Sequence, residues 1–123
     1  MELNEVTEKI IGCAISVHRA LGPGLLESTY EVCLVHEISK AGLDVRSQVA
    51  LPIVYDGIKL EAGYRIDLLV ADSVIVELKA VDSIHPIHEA QMISYLKLSG
   101  KKIGLLINFN VKLLKNGIKR LAN

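Results

Sequence analysis

The chain has 123 residues, of which half are apolar and only 4% aromatic, so a fold of this size must bury a mainly aliphatic core. Fourteen basic residues balance fourteen acidic ones, and a zero net charge argues against an indiscriminate nucleic-acid binder. The two cysteines lack redox spacing, and neither a signal peptide nor a membrane span is indicated. These features predict a single domain over residues 1–123 of a cytoplasmic protein that does not associate with membranes.

Two helices are predicted in the first third of the chain. Apolar residues recur at helical spacing over residues 4–21, and Gly22-Pro23-Gly24 ends that pattern. A second helix is expected over residues 26–40, and its buried face contains Tyr30, Leu34 and Ile38. Tyr30 is expected to lie in the core with its hydroxyl group hydrogen-bonded.

Shorter extended segments follow the helices. Residues 45–55 predict one strand, which the turn at Asp56-Gly57 connects to a second strand over residues 58–61. Further elements are predicted in chain order as strands over 64–70 and 74–80, a helix over 86–98, and a buried strand over 102–108. The tail over 111–121 has two interpretations, because Asn116-Gly117 either turns a hairpin or breaks a short helix.

The resulting order is α-α-β-β-β-β-α-β, which predicts an α/β (α+β) fold with a small mixed sheet flanked by helices. The strands at 74–80 and 102–108 should be parallel, because a helix connects them.

Two of the apolar strands carry charged side chains in their middles, namely Asp67 in one and Glu77 with Lys79 in the next. Charged side chains are almost never buried unless they are paired or bind something. Glu77 and Lys79 are two residues apart and share a face, and the three-residue loop at 71–73 would bring Asp67 opposite Glu77. Two converging carboxylates favour a hard cation, Mg²⁺ or Mn²⁺, between them. The alternative is an ordinary ion pair in a half-exposed hairpin.

This pattern, Asp67 followed after nine residues by Glu77-Leu78-Lys79, resembles the core of the PD-(D/E)xK nuclease superfamily. Ile66 stands where that pattern has a proline, a departure that removes no chemical group. Gln91 and Tyr95 resemble the Gln-x-x-x-Tyr element of the RecB-type branch, and the segment GLLESTY over residues 24–30 is similar to the signature of the small GxxExxY proteins. The resemblance implies a restriction-endonuclease-like core.

The resemblance also implies roles for individual residues. The implied metal ligands are Asp67, Glu77, Glu27 and the backbone carbonyl of Leu78. Lys79 would orient the attacking water or stabilise the charged transition state, while Gln91 and Tyr95 would support or complete the site. From the helix alone, Glu27 is equally well explained as an acid that the helix dipole favours. A glutamine on a partly apolar helix face, such as Gln91, is usually a surface residue or a hydrogen-bonding core residue, so its role rests mainly on the resemblance.

Two classes of function therefore stay open. The first is a Mg²⁺- or Mn²⁺-dependent nuclease acting on nucleic acid, with DNA favoured over RNA. The second is a catalytically inert nucleic-acid- or protein-interaction module that retains the nuclease fold, and a subunit of a larger complex is a third possibility. The apolar composition also predicts a homodimer, which would cover exposed aliphatic surface.

Overall fold

The computed structural model describes residues 1–61 and 63–123, and Ala62 lies outside the described residues. The chain begins with helices α1 (Leu3–Leu21) and α2 (Glu27–Lys40), which confirm both predicted helices to within one residue at each end. The predicted face of α2 is also confirmed, because Tyr30, Leu34 and Ile38 are fully buried.

The strands and the remaining helices follow in chain order. They are β1 (Val45–Ala50), β2 (Ile53–Tyr55), β3 (Ile58–Leu60), β4 (Arg65–Val70), β5 (Val74–Lys79), α3 (Pro86–Ser99), β6 (Ile103–Asn108), a 3-10 turn (Leu114–Gly117) and β7 (Ile118–Ala122). The predicted helix over 86–98 and the predicted strands over 64–70, 74–80 and 102–108 are confirmed.

Two details of the predicted strand order are wrong. The single strand expected over residues 45–55 is divided into β1 and β2 at Leu51 and Pro52. Proline has no N–H to donate to a strand ladder, and Leu51 instead donates its own N–H to the carbonyl of Tyr64 at 2.9 Å. In the tail, Asn116-Gly117 falls in the 3-10 turn, and the chain then adds β7, a strand that the predicted order omits.

The main sheet has the strand order β1-β4-β5-β6-β7, while β2 and β3 form a separate hairpin. The connection from β5 through α3 to β6 is parallel, as predicted, and the other neighbours in the main sheet are antiparallel. The mixed sheet flanked by helices confirms the predicted fold class and is consistent with a restriction-endonuclease-like fold.

Each face of the sheet buries its own apolar cluster, and two strands change face along their length. Leu68 of β4 packs in the cluster under α1 and α2, whereas Ile66 packs in the cluster under α3. Side chains of a regular strand alternate, so these two residues would otherwise share a face. In β1, Val45 packs against the first cluster and Val49 against the second. The alternation of side chains between the two faces therefore breaks at Asp67 in β4 and at the position opposite Asp67 in β1.

Helix α3 lies directly against the sheet because β6 carries a glycine at the contact. A Cβ atom at Gly104 would overlap the side chain of Met92, which is buried on the inner face of α3. The close contact fixes the position of α3 and of Tyr95, which packs in the same cluster as Met92. Among residues 1–61 and 63–123, no helix has the length and apolar character needed to cross a membrane.

Candidate active site

The hairpin of β4 and β5 brings Asp67 and Glu77 together. Its first pair is Val70 with Val74, so the loop is the three-residue segment anticipated from the sequence. Ala71 and Asp72 both have positive φ, 51° and 49°, which turns the chain within this short loop. Continuing the register beyond the last pair, Leu68 with Val76, sets Asp67 opposite Glu77.

The two carboxylates are held by each other's strands. The backbone N–H of Asp67 donates to Oε2 of Glu77 at 2.7 Å, and the backbone N–H of Leu78 donates to Oδ2 of Asp67 at 2.9 Å. These bonds replace strand-to-strand backbone bonds at the end of the hairpin. They restrict the orientation of both acids, because each carboxylate accepts a bond from the backbone of the opposite strand.

Glu77 is the buried member of the pair, with 6% of its surface exposed. Burial and, secondly, the negative charge of Asp67 raise the pKa of Glu77 to about 8. The N–H of Asp67 and the charge of Lys79 oppose that rise without cancelling it. At neutral pH, then, Glu77 is mostly protonated in the metal-free site, and a cation could displace its proton.

Lys79 ends β5, two residues after Glu77. Because β5 alternates regularly, Lys79 shares the side of Glu77 and Ile75, the side on which Ile75 packs under α3. The backbone at this point is fixed by β6, since the carbonyl of Lys79 accepts a bond from the N–H of Phe109 at 2.9 Å. The buried Asn108 is the register partner of Lys79.

Asn108 also holds the chain that leaves β5. Its side-chain amide group donates to the carbonyl of Val81 at 2.9 Å, and its Oδ1 accepts from the N–H of Val81 at 3.1 Å. These two hydrogen bonds keep the segment after Lys79 against the sheet. From the sequence, Asn108 is predicted only as the last residue of an apolar strand, and no sequence signal indicates these hydrogen bonds.

Glu27 is the first residue of α2 and is positioned by Tyr30. The Tyr30 hydroxyl donates to the carbonyl of Gly22 at 2.6 Å and accepts from the N–H of Leu25 at 3.1 Å. Its ring stacks on Phe109 at 4.4 Å. The prediction of a core tyrosine with a bonded hydroxyl is confirmed, and the contacts fix the loop that precedes Glu27.

The surroundings of Glu27 identify it as a neighbour of the acidic pair. Partial burial raises the pKa of Glu27, the positive charge of Lys79 lowers it, and the negative charges of Asp67 and Glu31 raise it further. Among the residues that the structure describes, however, no three His, Cys, Asp or Glu side chains form a group that could hold a metal ion. Glu27 therefore lies near Asp67 and Glu77 without completing a three-acid cluster.

Two polar residues beside the pair were missed from the sequence. Gln48 of β1 donates from Nε2 to Oε1 of Glu31 at 2.8 Å and to Oδ1 of Asp67 at 3.4 Å. Burial raises the pKa of Glu31, the hydrogen bond from Gln48 lowers it, and the negative charge of Asp67 raises it further. Glu31 lies one helical turn after Glu27, so helical spacing could have identified it, whereas Gln48 carries no comparable signal.

Helix α3 brings Tyr95 to the opposite side of the pair. Burial raises the pKa of Tyr95, and Glu77 is the next largest cause, which places the hydroxyl in the field of the acids. Gln91 is exposed and lies one turn earlier, on the wall of a cleft of about 500 Å³ that Tyr64, His88 and Tyr95 also line. The structure thus brings Tyr95 toward the acids and leaves Gln91 on the rim.

A mixed sheet flanked by helices, with an acidic pair and a lysine at the end of its central hairpin, defines a nuclease-like α/β fold. The sequence profile of the PD-(D/E)XK nuclease superfamily matches residues 4–121. The chain therefore belongs to the PD-(D/E)XK nuclease superfamily. Comparisons with curated proteins and with solved structures gave no match.

Proposed function

We propose that this chain is a Mg²⁺- or Mn²⁺-dependent nuclease that hydrolyses phosphodiester bonds of nucleic acid, with DNA favoured over RNA. The observation that carries the proposal is the reciprocal bonding of Asp67 and Glu77 across the hairpin, with Lys79 two residues further on. An inert scaffold gains nothing from two facing acids, one of them buried, because burial and mutual repulsion destabilise the fold whenever both acids are ionised.

The residues present fit a divalent metal ion of the hard type. Mg²⁺ is commonly held by one or two carboxylates while it keeps several waters, so a three-acid cluster is not required. Asp67, Glu77 and the backbone carbonyl of Leu78 would hold the ion, and Glu27 would add a ligand through bound water. A bound ion of this kind supplies an activated water and polarises a phosphoryl oxygen.

The protein's own side chains have distinct roles in this proposal. Lys79 orients the attacking water or stabilises the negative charge that develops on the phosphate. Tyr95 supports the site from α3 through its hydroxyl group, and Gln91 contacts the nucleic acid along the cleft. The cleft also offers Tyr64 to the substrate, at 6.4 Å from Tyr95 between ring centroids.

The proposed group and branch of the chain within the superfamily rest on short motifs. The segment GLLESTY supports membership of the GxxExxY group, and Gln91 with Tyr95 supports the RecB-type branch. We assign residues 1–123 to one nuclease-like domain. The half-buried free thiols of Cys13 and Cys33 support a cytoplasmic protein.

The test is a Mn²⁺ and Mg²⁺ titration with plasmid DNA, single-stranded DNA and RNA, beside a Lys79→Ala variant. Wild type should cleave at least one polymer only when metal is present. Lys79→Ala should lose roughly 10²–10³ in rate, as expected for removal of one charge-stabilising donor, while keeping its metal affinity. Absence of cleavage by the wild type, together with a destabilised Lys79→Ala variant, would refute the proposal.

The second candidate is an interaction module that keeps the fold without catalysis. The formal net charge of zero favours it. So does the pairing of basic side chains with acids, since Lys101 bonds Asp72 and Lys119 bonds Glu89. If this candidate is correct, no polymer should be cleaved in either metal, and the Lys79→Ala variant should be less stable than wild type, because Lys79 would then only balance the charges of Asp67 and Glu77.

A further inference from the structure

We infer that Gln48 is a positioning residue, which holds the Asp67 carboxylate in its metal-binding orientation by means of a strained backbone conformation. The inference rests on the proposed function. It concerns a residue of β1, a strand whose residues have no role in the proposed function above.

The first observation is the backbone of Gln48, whose φ is 52°. Residues other than glycine, asparagine and aspartate rarely adopt a left-handed conformation, and in L-residues it costs roughly 1–2 kcal/mol. Such conformations persist where the surrounding structure fixes them, and they concentrate at functional sites. The carbonyl group of Gln48 is indeed held, because it accepts a bond from Nη1 of Arg65 at 3.1 Å.

The second observation is the position of Gln48 in the sheet. The register of β1 and β4 runs from Ser47 with Leu68 to Val49 with Ile66, so Gln48 stands opposite Asp67. Both strands change face here, as the apolar clusters show. Local irregularities of this kind redirect a side chain from the position that regular alternation would give it. The left-handed residue of β1 thus lies beside the irregular position of β4 that carries Asp67.

The third observation is the amide group itself. Oδ2 of Asp67 is held by Leu78, and Oδ1 receives the amide of Gln48 at 3.4 Å. The same amide is anchored on Glu31 of α2 at 2.8 Å. Gln48 therefore links α2 to the metal-binding acid. Partners that orient a ligand in this way commonly change metal affinity by about 10- to 100-fold when they are removed.

Two substitutions separate the amide from the backbone strain. Gln48→Gly removes the amide and also relieves the strain, since glycine adopts positive φ without a steric penalty. Gln48→Ala removes the amide and keeps the strained Cβ. Ser47→Gly is the matched control, because Ser47 is exposed on the same strand and is not among the residues with positive φ.

The measurements are the melting temperature of the metal-free protein and the dissociation constant for Mn²⁺ by calorimetry. We expect both Gln48 variants to bind Mn²⁺ about tenfold more weakly. Gln48→Gly should melt about 2–4 °C above wild type, and Gln48→Ala at or slightly below it. Ser47→Gly should melt lower and bind Mn²⁺ normally. A merely structural residue would lose stability and affinity together.

Three results would overturn the inference. Mn²⁺ affinity within twofold of wild type in both Gln48 variants would show that the amide does not position Asp67. A lower melting temperature for Gln48→Gly would show that its backbone is not strained. If wild type itself binds no Mn²⁺, both the proposed function and the inference are wrong. The measurement on wild type alone distinguishes this outcome from the other two.

Discussion

The affinity for Mg²⁺ should rise steeply with pH in the neutral range, because the ion and a proton compete for Glu77. Burial and the charge of Asp67 raise the pKa of Glu77 from 4.5 to about 8 in the metal-free protein. At about pH 7, only about one molecule in ten then carries Glu77 as a carboxylate. Binding of the ion must release the proton from the others.

The size of the effect follows from the fraction of ionised Glu77. Between about pH 6 and 7 the apparent affinity should increase about tenfold, and between about pH 7 and 8 about fivefold. Above about pH 9 it should level off, since Glu77 is then ionised before the ion arrives. Near pH 7, binding should release about 0.9 proton per ion, a value that falls toward zero at higher pH.

Isothermal titration calorimetry measures both quantities when each pH is studied in two buffers of different ionisation heat. Glu5→Gln is the matched control, because it makes the same chemical change at an exposed position of α1 and should keep the wild-type profile. Glu77→Gln should abolish binding. An Mg²⁺ affinity that is constant from about pH 6 to 8, without proton release, would refute the reasoning about Glu77.

Further predictions concern stability and assembly. The raised pKa of Glu77 contributes stability to the metal-free fold that is fully present below about pH 4.5 and is lost as the pH rises through about 8. Glu77→Gln should therefore be more stable than wild type at about pH 9. Denaturant unfolding measures the gain, for which roughly 5 kcal/mol is the upper limit. Asn108→Ala should lower the free energy of unfolding by about 1–3 kcal/mol, because the N–H and carbonyl of Val81 lose their partner. The exposed Tyr55 and Ile58 of the β2–β3 hairpin should support a homodimer, which Ile58→Lys should dissociate in sedimentation experiments. A clean wild-type monomer at high micromolar concentration would contradict this last prediction.

The acidic pair could be predicted because its signal is a contrast within two apolar strands. Charges at positions 67, 77 and 79 interrupt runs of valine, isoleucine and leucine, and burial of charge demands a partner. The three-residue loop then sets the parity, since only an odd number of loop residues places Asp67 opposite Glu77. The cost of burying charge and the period-2 geometry of strands are therefore enough to predict the facing pair from the sequence.

The strand boundaries were less accessible, for two different reasons. Pro52 marked the division of the segment over 45–55, but the apolar residues on both sides suggested a continuous strand. β7 had no local signal of comparable strength. Its residues become a strand because they pair with β6, whose register with β7 runs from Ile103–Ala122 to Ile107–Ile118. Tertiary pairing decides such segments more than their own sequence does.

Gln48 could not be predicted from the sequence, because its importance comes from a conformation that glutamine rarely adopts. Asp67 leaves the regular alternation of β4, and β1 keeps its register with β4 on both sides of that point. The neighbouring strand must therefore change face at the same level, and the φ of 52° at Gln48 allows it to do so. Local rules of sequence tend to fail where a fold holds a functional group against its own regular geometry. The strain at Gln48 follows from this arrangement of strands, and a glycine at that position would relieve the strain while removing the amide that holds Asp67.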